Sequence, residues 1–167
     1  MPEIDSELEL ALNYLDHNKD ESLKRLFDIL KIPSISTQEK YSKDCLNAAN
    51  WFVEQLKDIG FDASIRETNG HPMVVAHFEQ EGPHFLFYGH YDVQPPDPLE
   101  LWTSGPFEPV INKTPLHPEG AIFARGACDD KGQMYIHVKA FELMMNTRTL
   151  PCNIKFMIEG EEEVGSE

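Results

Sequence analysis

The chain has 167 residues, 41% of them hydrophobic, and a formal net charge of -15. This length and composition fit one soluble globular domain. The strong negative charge disfavours binding to phosphate backbones and to anionic membrane surfaces. We therefore expect neither a nucleic acid nor a membrane as a partner.

The N-terminal sequence and the cysteines predict the cellular compartment of the protein. No basic start followed by an apolar core is present, which argues against a secretory signal and leaves the cytoplasm as the expected location. The three cysteines are Cys45, Cys128 and Cys152, an odd number without CxxC spacing, so we expect reduced thiols. Cys128 adjoins Asp129 but has no partner at zinc-site spacing, so we expect it to be a spectator thiol.

Apolar residues recur at helical spacing in three segments of the first 60 residues. The predicted helices lie around residues 8–15, from about 21 to 31, and from about 42 to 59. Pro33 and Gly60 follow the second and third of them, where such residues commonly end a helix. Residues 34–37 are predicted to be a loop.

From residue 61 onward the pattern changes to strands. Predicted strands cover 63–67, 73–78, 84–88, 121–124 and 154–158, and a further helix covers 133–145. The run 84–88 is almost continuously apolar, as expected for a strand buried on both faces. Residues 93–118 hold seven of the twelve prolines and are predicted to be a long loop. Helices that alternate with apolar strands predict an α/β domain with helices on both faces of the sheet.

Polar side chains follow two predicted strands and precede one predicted helix. His90 and Asp92 follow the strand 84–88, Asp129 precedes the helix that begins near residue 131, and Glu162 and Glu163 follow the strand 154–158. Ligands of open α/β sheets bind at the carboxyl ends of the strands, so these segments are expected to meet there. One imidazole with several carboxylates suits zinc, or manganese or cobalt as substitutes.

Each of these residues also has an ordinary interpretation. A single His after a strand is usually a hydrogen-bonded loop residue, an Asp before a helix is usually a cap, and adjacent glutamates are usually solvated. The conjunction favours a metal site. The spacing of His90 and Asp92 also lets Asp92 accept the far N–H of the imidazole and fix its orientation.

Three motifs resemble a known family in order and spacing. They are YGHYDVQP at 88–95 with WTSGPF at 102–107, RGACDDKG at 125–132, and IEGEEEVGSE at 158–167. They are similar to motifs of the zinc exopeptidases that include carnosine dipeptidase, acetylornithine deacetylase, succinyl-diaminopimelate desuccinylase and glutamate carboxypeptidase. The VQP segment and the EExGS ending are most similar to the dipeptidase branch.

The resemblance implies a fold and a set of roles. The fold would be a three-layer α/β/α catalytic domain with a mixed, mostly parallel sheet. His90 would bind one zinc ion, Asp129 would bridge two, and Glu163 would bind the second. Asp92 would orient His90, and Glu162 would act as general base for a water shared by both ions during hydrolysis of an amide bond. A one-residue slip in the run Glu161–Glu163 would move the last assignments. A cis peptide bond is implied after Asp129.

The resemblance also implies that residues 1–167 form only the N-terminal portion of the catalytic domain. The family pattern has a further Asp, a final His and a small lid domain downstream, and this lid holds the substrate carboxylate and forms a homodimer. Asp129 and Glu163 supply two negative charges against the four positive charges of two zinc ions. We therefore expect the chain alone to bind zinc weakly, to lack peptidase activity and to expose apolar surface at an incomplete sheet.

Three other interpretations remain open. The first is a deacylase of the same family that acts on N-acyl amino acids instead of dipeptides. The second is a truncated, non-catalytic protein that binds partners through its exposed face. The third is a plain α/β domain whose acidic turns are incidental, and the three ordered motifs disfavour it.

Overall fold

A computed structural model describes residues 2–147 and 150–166. It contains three helices: α1 (Pro2–Leu30), α2 (Ser42–Asp58) and α3 (Lys131–Thr147). The six strands are β1 (Asp62–Arg66), β2 (Met73–Phe78), β3 (His84–His90), β4 (Val110–Asn112), β5 (Ala121–Phe123) and β6 (Asn153–Glu159). None of the described helices is long and apolar enough to cross a membrane.

The main sheet has four strands in the order β1-β2-β6-β3, and β4 and β5 form a separate antiparallel pair. In the main sheet β1–β2 and β2–β6 are antiparallel, whereas β3–β6 is parallel. A short turn joins β1 to β2, and this favours an antiparallel pair. The connection between β3 and β6 contains α3, and such a crossover allows a parallel pair.

The core lies between the helices and one face of this sheet. Phe156 of β6 is fully buried, and its ring lies 5.5 Å from that of Phe141 on α3 and 5.6 Å from those of Phe61 and Phe87. Helix α2 packs against β1 and β2, and α1 packs on the outside of α3. Burial of alternate strand residues fixes the register, because a one-residue slip would turn the apolar set to the other face.

The predicted α/β class and the mixed sheet are confirmed. The prediction of a mostly parallel sheet is not met in the described residues, since two of the three pairings in the main sheet are antiparallel. The described helices also contact the sheet on one face, so the expected third layer is not formed by residues 2–147 and 150–166.

The prediction of two helices before Pro33 is wrong, because α1 is one continuous helix. No proline or glycine lies between the two predicted segments, and side-chain bonds there fit a helix. Asn18 donates to the carbonyl of Tyr14 at 2.8 Å, and Ser22 donates to that of Asn18 at 2.7 Å. The predicted loop 93–118 contains a strand that the sequence analysis missed, β4, which pairs with β5.

Strand β3 is not buried on both faces as predicted. It is the last strand of the main sheet, and Phe85, Leu86 and Tyr88 are 51%, 62% and 50% exposed. The expectation that the chain exposes apolar surface at its sheet is therefore confirmed. Such an uncovered edge is a place where another strand can pair.

Candidate metal centre

The three segments singled out in the sequence meet at one end of the main sheet. Strand β3 ends at His90 and the adjacent strand β6 ends at Glu159, and these two residues are paired in the sheet. Helix α3 begins at Lys131, two residues after Asp129. A 3-10 turn, Glu162–Val164, follows β6 and returns the chain toward His90.

His90 is the centre of this cluster and is only 6% exposed. Its Nε2 lies 3.0 Å from Asp129 Oδ1 and 3.9 Å from Glu162 Oε2. Its Nδ1 lies 3.1 Å from the backbone oxygen of Asp92 and 3.3 Å from Asp92 Oδ1. The Nε2 side of the ring therefore faces the exposed carboxylates, and the Nδ1 side faces the protein interior.

His90, Asp129 and Glu163 are suited to hold a metal ion. One ligand atom from each lies within 4.8 Å of the others, and no other such group occurs among the residues that the structure describes. One imidazole nitrogen and two carboxylate oxygens are donors that zinc accepts, and Asp129 is exposed to solvent. The residues present therefore fit the metal that the sequence motifs imply.

Asp92 is fully buried beneath this group. Its Oδ2 accepts a hydrogen bond from Ser36 Oγ at 2.6 Å and another from the backbone N–H of Glu163 at 3.1 Å. Burial by itself raises the pKa of this carboxyl group, but the bonds from His90, Ser36 and the Glu163 N–H outweigh it and lower the pKa. Asp92 therefore remains ionised beside His90.

The pKa of His90 is raised to about 9. Burial acts in the opposite direction, since it disfavours the imidazolium. The hydrogen bond and negative charge of Asp92 outweigh burial, and the charge of Asp130 adds to them. Without a metal, the imidazole is therefore protonated at neutral pH.

The three consecutive glutamates lie in three different surroundings. Glu161 Oε1 accepts the backbone N–H of His71 at 3.0 Å, so it holds the turn between β1 and β2. Glu162 lies beside His90, as described above. Glu163 Oε2 accepts a hydrogen bond from Gln94 Nε2 at 2.6 Å. This arrangement is consistent with the register that places Glu162 and Glu163, not Glu161, at the site.

The local backbone brings the second motif close to the first. The peptide bond between Asp129 and Asp130 is cis, as the family resemblance implies. Asp130 Oδ2 accepts the backbone N–H of His90 at 3.1 Å. A Cβ at Gly89 would overlap with this carboxylate and with Met134, so a larger residue there would displace both side chains.

Three supporting residues were missed by the sequence analysis: Ser36, Gln94 and His71. Ser36 lies in a segment predicted only as a loop, and Gln94 was quoted as part of a motif without a role. Neither carried a signal of its own, because a single Ser or Gln in a loop is common. Cys128 is a free, exposed thiol, and it is not part of the candidate metal group.

Comparison with known proteins identifies the family of this fold and site. The sequence profile described as Peptidase family M20/M25/M40 matches residues 86–167, which contain all three motifs. This segment belongs to that family of metallopeptidases, and the resemblance stated from the sequence is confirmed. Members of the family are hydrolases.

Individual relatives include both dipeptidases and a deacylase. The succinyl-diaminopimelate desuccinylase of Gluconacetobacter diazotrophicus is 33% identical over 141 residues, 81% of this chain and 33% of that protein. The Cys-Gly metallodipeptidase dug1 of Schizosaccharomyces pombe is 28% identical over 173 residues, 96% of this chain and 35% of that protein. The solved dipeptidase Dug1p of Saccharomyces cerevisiae superposes with a TM-score of 0.82 at 27% identity, covering 95% of this chain and 36% of that chain. The chain thus spans about a third of the length of these relatives.

Proposed function

We propose that the protein containing this chain is a metal-dependent hydrolase of the amide bond in dipeptides or small peptides. The single observation that carries the proposal is the meeting of His90, Asp129 and Glu163 within 4.8 Å at the end of the sheet. The metallodipeptidases among its relatives support the reaction class. We further propose a cytoplasmic location and small-molecule substrates.

Two zinc ions would be held here, with manganese or cobalt as substitutes. His90 would be a ligand of one ion, Glu163 of the other, and Asp129 of both. A bound ion would supply Lewis acidity, which brings the pKa of water toward neutrality and polarises a carbonyl group.

Residues of the chain would carry out the proton transfers and hold the His90 ring. Glu162 Oε2 lies 3.9 Å from His90 Nε2, and Glu162 would accept a proton from a water held at the site. It would then return that proton to the nitrogen of the departing amine, as general base followed by general acid. Asp92 would keep the His90 ring in place and would stabilise charge on it.

We also propose that residues 1–167 supply only part of the site. Asp129 and Glu163 bring two negative charges, and two zinc ions would need more. The remaining ligands, a lid domain and a homodimer contact would come from further sequence. Isothermal titration of zinc into the 167-residue chain should give weak, micromolar binding, and a dipeptide assay should give no turnover. Nanomolar affinity or measurable turnover by this chain would contradict the proposal of a partial site.

Hydrolysis is tested with the whole protein, expressed from the uninterrupted reading frame that contains this chain. The protein, loaded with zinc, manganese or cobalt, should hydrolyse Cys-Gly or β-Ala-His, and Glu162→Gln should lower kcat by at least about 100-fold. Sequence downstream of residue 167 should encode the missing Asp and His ligands. Absence of turnover on every substrate despite bound metal would refute the catalytic proposal and would favour a non-catalytic binding protein.

A second candidate function is hydrolysis of an N-acyl amino acid. It is favoured by the desuccinylase, which is 33% identical over 141 residues. The same assay with N-succinyl-diaminopimelate separates the two activities. A kcat/KM at least about tenfold higher on the succinylated substrate than on either dipeptide would assign the deacylase function.

A further inference from the structure

The segment Ser34–Ser36 is fixed beside the end of β3, although it lies more than 50 residues away in sequence. Ser34 is fully buried, and its Oγ donates to the carbonyl of Tyr91 at 2.6 Å. The N–H of Val93 donates to the carbonyl of Ser34 at 3.0 Å, and Ile35 forms a parallel bridge with Val93. The segment Ser34–Ser36 therefore runs directly along the residues that flank Asp92.

Ser36 uses this position to contact Asp92. Its Oγ donates to Asp92 Oδ2 at 2.6 Å, the shortest hydrogen bond that the carboxylate accepts in the described residues. The segment is held from its other side by His71, whose Nε2 lies 3.0 Å from the carbonyl of Ser36. The Ser36 hydroxyl is thus presented to Asp92 by a backbone with contacts on both sides.

Asp92 in turn contacts two of the three residues that would hold the metal. Its Oδ1 lies 3.3 Å from His90 Nδ1, and its Oδ2 accepts the backbone N–H of Glu163 at 3.1 Å. The two oxygens belong to one planar group, so rotation of that group would move both contacts together. Ser36, the second donor on Oδ2, restricts this rotation, and a buried carboxylate that loses a donor also loses stabilisation of its charge.

We propose that Ser36 is a positioning residue for the metal site: its hydroxyl fixes the Asp92 carboxylate, which aligns His90 and Glu163 at the same time. The inference rests on the proposed metal-dependent function and deepens it. Residues that orient ligands from behind contribute about 10–100-fold to metal affinity in other proteins. Ser36 acts through Asp92 and would contact neither the metal nor the substrate.

The chain offers a matched control in Ser34. Both serines lie on the same segment and donate hydrogen bonds of 2.6 Å, but Ser34 bonds to a backbone carbonyl and Ser36 to Asp92. Ser36→Ala and Ser34→Ala should both lower thermal stability. Only Ser36→Ala should weaken the binding of Zn²⁺ and Co²⁺, by about 10-fold or more, and change the visible spectrum of bound Co²⁺.

A second pair of variants separates loss of the Ser36 hydroxyl from changes in packing around the side chain. Ser36→Thr and Ser36→Val have side chains of nearly the same shape, and only threonine keeps the hydroxyl. Ser36→Thr should bind Zn²⁺ within about threefold of the wild type, and Ser36→Val should bind as weakly as Ser36→Ala.

The outcomes separate this inference from the proposed function. If the protein expressed from the uninterrupted reading frame that contains this chain binds no Zn²⁺ or Co²⁺, the metal-dependent function fails, and the role of Ser36 fails with it. If the wild type binds metal and Ser36→Ala and Ser36→Val bind it equally well, the positioning role is refuted and the function stands. Equal losses in Ser34→Ala, or in Ser36→Thr and Ser36→Val, would also refute the role, because the effect would then be general loosening of the segment.

Discussion

Binding of a metal ion at His90 should release a proton, and the pKa of His90 determines how many protons are released per ion. The pKa of His90 is raised to about 9, whereas an ordinary imidazole has a pKa of about 6.5. At pH 7.5 the imidazole without metal is therefore almost fully protonated, whereas an unperturbed His would be only about 10% protonated. A metal ligand must be neutral, so we expect roughly 1 proton to be released per ion bound at His90, against about 0.1 without the shift.

Isothermal titration of zinc in buffers of different ionisation enthalpy measures this number directly. Asp92→Asn removes the hydrogen bond and charge that raise the pKa of His90, so proton release at pH 7.5 should fall well below one. Asp62→Asn is the matched control, because Asp62 pairs with His77 at 3.4 Å toward the opposite end of the sheet. Release near 0.1 by the wild type, or equal release by both variants, would refute the account of His90.

Three further predictions concern the register, the core and the open edge. Glu163→Gln should weaken zinc binding by at least about tenfold, whereas Glu161→Gln should not, since Glu161 bonds to the turn at His71. Equal losses of zinc affinity in the two variants would contradict the assignment of Glu163, and not Glu161, as a metal ligand. Phe156→Ala should lower the free energy of unfolding by about 3–5 kcal/mol in urea titration, because the side chain is fully buried among three rings; a loss below about 1 kcal/mol would contradict this packing. The chain should self-associate in analytical ultracentrifugation through the exposed edge strand β3, and Leu86→Lys, which places a charge there, should reduce this association. A monomeric wild-type chain, or association that the variant leaves unchanged, would contradict this role of the edge.

Sequence periodicity predicted most of the elements because local patterns determine them. The strand 73–78 is found as Met73–Phe78, and the helix 42–59 as Ser42–Asp58 followed by Gly60 with φ of +93°. The meeting of His90, Asp92 and Asp129 was predicted from a general property of α/β sheets, which bind ligands at the carboxyl ends of their strands. The element boundaries needed only residues that are close together in the chain.

The features that the sequence did not predict depend on distant contacts. Strand β3 has the composition of a buried strand, but its burial depends on neighbours that the described residues do not supply. The continuity of α1 could be inferred only from the absence of a proline or glycine between the two predicted helices, and such an absence is a weak indication of one long helix. Ser36 and Gln94 became visible only when the fold brought them to Asp92 and Glu163, 56 and 69 residues away.

The central claim is that His90, Asp129 and Glu163 hold a divalent metal. X-ray absorption at the zinc edge of the zinc-loaded chain tests it most directly. The account predicts nitrogen and oxygen ligands at about 2.0–2.2 Å with an imidazole signature, which His90→Ala abolishes. A sulfur ligand at about 2.3 Å, as Cys128 would give, or an imidazole signature that persists in His90→Ala, would contradict it.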